Sequence, residues 1–145
     1  MNLAIGYAAF AQRHRTPYRR YAASRLNSDT LGDLVAERVL DILSWQWPQV
    51  VGSESPAAEA WAVLRQEVMT ALGLHSNCPD VLHRTLSAAA ADAALLHYRL
   101  GMRLTEAGVL MGTPASSVAA HLLVAERALP PSIAASLTAC HSHWP

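Results

Sequence analysis

Phenylalanine occurs once in the 145 residues and cysteine twice, and each scarcity removes a class of architecture. Cys78 and Cys140 cannot supply the dense disulfide framework of a small secreted scaffold. Aromatic residues amount to 6%, whereas 52% of the chain is hydrophobic and rich in Ala and Leu. Sheets favour β-branched and aromatic side chains, so an all-α fold is expected. No uninterrupted apolar span reaches the ~20 residues of a membrane crossing, and the N-terminus does not read as a charged start, an apolar stretch and a cleavage site. A soluble, cytoplasmic chain with no membrane partner is the resulting expectation.

Signs of catalysis are equally sparse. There is no nucleophile elbow, no phosphate-cradling Gly-rich loop and no HExxH pair, so neither an enzyme nor a cofactor is expected. His75, Cys78 and His83, and separately Cys140, His141 and His143, are metal-ligand types, but their spacing does not reproduce a paired-cysteine zinc site and no metal site is expected. Acidic residues are missing from residues 1–27, which hold Arg13, Arg15, Arg19, Arg20 and Arg25. That end reads as a basic patch able to attract phosphate or an acidic protein surface.

What is present is helical periodicity. Leu3, Tyr7, Phe10, His14, Tyr18, Tyr21 and Arg25 recur at three- and four-residue steps, interrupted by Thr16-Pro17, which predicts two consecutive helices or one kinked helix. After Asn27-Ser28-Asp29, Leu31, Leu34, Val35, Val39, Ile42 and Leu43 form an apolar stripe, with Asp33, Glu37 and Asp41 in a row on another face. This helix is expected to end near Trp45-Gln46-Trp47-Pro48. Ser55-Pro56 opens a third helix whose inner face is Trp61, Leu64, Val68 and Leu72.

Residues 1–73 therefore form one small helical unit, 74–79 a hinge, 80–131 a second unit and 132–145 a tail. In the second unit we expect a helix over about 80–100 and a turn at Gly101. A short helix from Leu104 to Met111, a turn at Gly112-Thr113 and a helix from Pro114 to Leu129 follow, which is the helix-turn-helix plan.

Leu96-His97-Tyr98, Gly101, Glu106-Ala107, Met111-Gly112-Thr113-Pro114, Val118, Leu122, Ala125 and Ala128-Leu129 resemble region 4 of the extracytoplasmic-function RNA polymerase sigma factors. Tyr7-x-x-Phe10, His14, Tyr21-Ala22, Arg25-Leu26, Asp33-Leu34-Val35-x-Glu37 and Trp47-Pro48-x-Val50 are similar to region 2 of the same family. The resemblance implies a transcription factor that binds RNA polymerase core through its first unit and reads promoter DNA with both. Asp33, Glu37 and Asp41 are then candidate polymerase contacts, since an acidic helical row complements basic side chains across an interface.

Promoter contact falls to few residues. Ala119, His121, Val124 and Glu126 occupy places where the family commonly carries Lys or Arg, leaving Ser116, Ser117, His121 and Arg127 as candidate DNA contacts. Residues 40–51 contain no basic residue, and Trp45 and Trp47 are candidates for stacking on an unpaired base, although tryptophan is more often core. The last helix is apolar nearly all round, the pattern of a helix buried in its own protein or in a partner. Val118, Leu123 and Val124 are accordingly candidates for docking a regulatory protein or a second copy.

Overall fold

The computed structural model describes residues 3–74 and 81–131, and every regular element among them is helical. The predicted hinge lies mostly, and the predicted tail wholly, outside the described residues. By its contacts the chain divides into two compact units, residues 1–78 with 110–112 and residues 79–109 with 113–145.

The first unit contains α1 (Leu3–Leu26), α2 (Asp29–Val51) and α3 (Pro56–Leu74). Thr16-Pro17 does not divide α1, which carries Pro17 inside one helix. The backbone bond lost there is offset by burial, because Tyr18, Tyr21 and Ala22 in the following turns are fully enclosed. Asn27 ends the helix with φ 52°, a left-handed conformation that asparagine tolerates. Ser28 then accepts the Leu31 N–H on its Oγ at 3.1 Å and so caps α2.

A two-residue link makes α1 and α2 an antiparallel hairpin. Arg19 faces Asp33, Arg15 faces Glu37, and the Tyr7 hydroxyl donates to the Leu40 carbonyl at 2.7 Å. Near the turn the backbones pass so closely that a Cβ on Gly32 would sit 2.7 Å from the Ala23 backbone.

α2 also outruns its expected end, continuing through Pro48 to Val51. Leu43, Trp47 and Val50 lie on one helical face and are all buried. Keeping that face enclosed outweighs the single N–H that proline lacks. Trp47 packs against Tyr7 and Phe10 with ring centroids 5.9 and 5.2 Å apart. The third helix follows its predicted inner face, with Trp61, Leu64, Val68 and Leu72 buried. Trp61 rests on Tyr21 and Tyr18, and His14 stacks on Phe10 at 3.9 Å. Burial holds the His14 imidazole below its ordinary pKa, partly opposed by its bond to the Phe10 carbonyl.

The second unit contains α4 (Val81–Thr85), α5 (Ala88–Ala94), a π-helical turn (Leu95–Arg99), α6 (Leu104–Met111) as far as Val109, and α7 (Ala115–Ala128). The single helix expected over about 80–100 is thus broken. Ser87 adopts ψ 157° and its Oγ accepts the Ala90 N–H, which starts α5 afresh. Across the break, the His83 ring donates from Nε2 to Asp92 Oδ1 at 2.6 Å, with 7% and 1% of the two side chains exposed. α5 packs on α7, bringing Ala90, Ala91, Ala93 and Ala94 into one core with Val118, Leu122 and Ala125.

Gly101, with φ 73°, ends the π-helical turn, and His97 Nδ1–H donates to the Met102 carbonyl at 2.8 Å. Gly112, with φ 75°, and Thr113-Pro114 then turn the chain so that α6 and α7 lie 104° apart. That angle and turn length fall in the range of helix-turn-helix pairs. A Cβ on Gly108 would meet the Thr113 carbonyl oxygen at 2.6 Å, so the turn folds tightly onto α6.

Candidate functional site

Two surfaces gather the residues singled out by sequence. On α2, Asp33, Glu37 and Asp41 share one face, as the four-residue spacing requires, and all three are exposed. Two larger apolar side chains share this face: Leu34 is 63% and Trp45 82% exposed. Leu34 therefore does not belong to the buried stripe predicted for it. On a helical wheel it falls beside Glu37 and Asp41 and away from Val35 and Val39, a signal that apolar character alone obscured. The two tryptophans separate in the same way, with Trp45 on the outer face and Trp47 in the core, where it is unavailable for stacking on a base.

Two members of the acidic row are already engaged. Arg15 Nε donates to Glu37 Oε1 at 2.8 Å, and Arg19 Nε lies 3.4 Å from Asp33 Oδ1. Both pairs are about half exposed, so each contributes only on the order of 0.2–1 kcal/mol. Asp41 has no ion-pair partner among the described residues.

The same contacts dissolve the basic patch read from residues 1–27. Arg15 and Arg19 pair with α2, and Arg25 is buried, with Nη1 donating to the Tyr21 hydroxyl at 2.9 Å. Arg20 is half-buried, and Arg13 remains exposed. The arginines segregated in sequence are thus distributed between an interface with α2, the core and solvent.

On α7, Ser116 and Arg127 are exposed and Ser117 and His121 half-buried. Pro114 occupies the N-cap without a side-chain hydrogen bond, and its carbonyl accepts from the Ser117 and Val118 N–H groups at 3.0 and 3.2 Å. Contrary to its expected docking role, Val118 is fully buried and belongs to the core with α5 rather than to a surface. Leu123 and Val124 are each 54% exposed, so α7 buries one face and leaves apolar side chains on the other. Glu126 on α7 accepts a hydrogen bond from the Tyr98 hydroxyl. Burial, and then the Glu126 carboxylate, push the Tyr98 phenol up to about 12.

Sequence reading missed the His83–Asp92 pair. An aspartate within a run of alanines was the available signal, because a charge on an otherwise apolar helix needs a buried partner. Of the metal-ligand types noted in the sequence, His75, Cys78, Cys140, His141 and His143 lie outside the described residues. Among the described residues no three His, Cys, Asp or Glu side chains cluster to hold a metal, and no single helix is long and apolar enough to cross a membrane.

No protein-family model, curated relative or solved structure matches the chain.

Proposed function

We propose that the chain is a sigma-factor-like transcription regulator whose first unit docks on RNA polymerase core through the outer face of α2. The observation that carries this reading is the coincidence on one face of Asp33, Glu37 and Asp41 with two exposed apolar side chains, Leu34 and Trp45. A tryptophan anchor beside carboxylates suits a partner that brings apolar area and basic side chains together. The regulator acts in the cytoplasm, where the polymerase is.

The second unit contributes to promoter recognition through Ser116, Ser117, His121 and Arg127 on α7. With Arg127 as the cation on this outer face, the contact is weak, and its share of the sequence reading is small. The test is titration of labelled full-length protein with purified polymerase core at low and moderate salt. Binding is expected, and Trp45→Ala should weaken it about thirtyfold, the loss typical of a buried aromatic anchor. No binding at low salt, or binding indifferent to Trp45→Ala, would reject this reading.

A second reading is favoured by the exposure of Leu123 and Val124. In it the chain is a protein-interaction module that docks a regulatory protein or a second copy of itself through α7, without specific DNA binding. Sedimentation of the wild-type chain should then reveal a self-associated species that Leu123→Arg converts to monomer with unchanged helicity. A monomer at all concentrations rules out the second copy as the occupant.

A further inference from the structure

The acidic row on α2 carries its own counterions, and their placement bears on how tightly any basic surface can bind there. Arg15 and Arg19 reach across from α1 to Glu37 and Asp33 at 2.8 and 3.4 Å, and all four side chains are 46–60% exposed. Nothing buries these pairs, so they are weak enough to exchange partners. While they persist, two of the three carboxylates on the docking face are neutralised, and the exposed charge is that of Asp41 beside Leu34 and Trp45.

We infer that Arg15 and Arg19 are autoinhibitory counterions that hold the α2 face in a low-affinity state towards a basic protein surface. This rests on α2 being the docking face proposed above. A cationic side chain approaching Asp33 or Glu37 meets a guanidinium already in place and must displace it. The pairs thereby tune affinity: apolar contact by Leu34 and Trp45 remains available throughout, while the electrostatic contribution is withheld until the arginines swing away. Discrimination follows, since a partner with a fixed row of basic groups can displace both arginines together and a single lysine cannot.

Replacing the arginines should release the carboxylates. Arg13 provides the control, because it is exposed, has no ion-pair partner among the described residues, and carries the same charge. Full-length wild type, the double variant Arg15→Gln/Arg19→Gln and the single variant Arg13→Gln are titrated against two probes, polymerase core and a ten-residue oligolysine. Each is measured at low salt and at about 1 M, where the Debye length falls to about 3 Å. Circular dichroism verifies that helicity is unchanged, and Arg19→Gln alone serves if the double variant is not folded.

At low salt the double variant should bind both probes about tenfold more tightly than wild type, roughly threefold for each freed carboxylate. Arg13→Gln should change affinity less than twofold, and all three proteins should converge at high salt. An equal gain in oligolysine affinity per charge removed for Arg13→Gln and the double variant, or no gain in the double variant, would overturn the inference, because net charge alone, or no counterion effect, would then explain the result. If oligolysine binding tightens as stated but no protein binds polymerase core, the counterion assignment stands and the polymerase reading fails.

Discussion

Asp92→Ala is expected to destabilise the second unit by about 3 kcal/mol, a large fraction of the 5–15 kcal/mol that holds an ordinary domain together. The carboxylate is fully buried in α5, where Ala90, Ala91, Ala93 and Ala94 are buried with it. It accepts from His83 Nε2 at 2.6 Å. Removing it takes away the acceptor of a buried ring N–H and opens a small cavity in a closely packed layer. The cost falls on α4 in particular, since five residues cannot sustain a helix without tertiary contacts. Asp92→Asn keeps an oxygen in place and should recover a substantial part of the loss. Urea denaturation followed by circular dichroism checks both. A loss below 1 kcal/mol for Asp92→Ala would mean that the pair contributes little to the fold.

Trp61→Ala should unfold the first unit at lower denaturant by a similar or larger margin, about 3–5 kcal/mol. The indole is 5% exposed and lies between α1 and α3, with its ring 4.6 Å from Tyr21 and 6.3 Å from Tyr18. Tyr18 has no exposed surface, and burial pushes its phenol well above the ordinary value, which reflects how dry this region is. A void there cannot be filled by collapse, because the neighbouring rings are held by their own packing. Trp61→Phe retains an aromatic surface and should cost roughly half as much. The urea midpoint of the far-ultraviolet signal measures the shift. A midpoint unchanged by Trp61→Ala would place the core of this unit elsewhere.

Local signals were sufficient for several elements. Ser55-Pro56 marks the start of α3, and the glycines at 101 and 112 bound α6, because a cap or a left-handed turn is encoded within a few residues. The inner face of α3 was legible for the same reason, since its apolar residues repeat at helical spacing. Where the outcome depended on a partner element, legibility failed. Pro48 is a local stop signal, yet α2 passes through it to bury Trp47 and Val50. Ser87 lies in an alanine-rich segment with strong helical propensity, yet it caps a new helix, and the His83–Asp92 contact spans the break. The candidate sites divide likewise: the shared face of Asp33, Glu37 and Asp41, and Leu34 beside them, followed from spacing, but whether Trp45, Trp47 or Val118 faced outward did not.

By itself the sequence determined the all-α class, the main helices and the shared face of the acidic row, all of which arise from periodicity and capping over a few residues. Only the tertiary structure decided what those faces meet. It paired Arg15 and Arg19 with α2, sank Arg25 and Val118 into the interior, and left Leu34, Trp45, Leu123 and Val124 outside. The physical reason is that charge pairing and burial depend on distances between residues far apart in the chain, and a one-dimensional pattern carries no such distances.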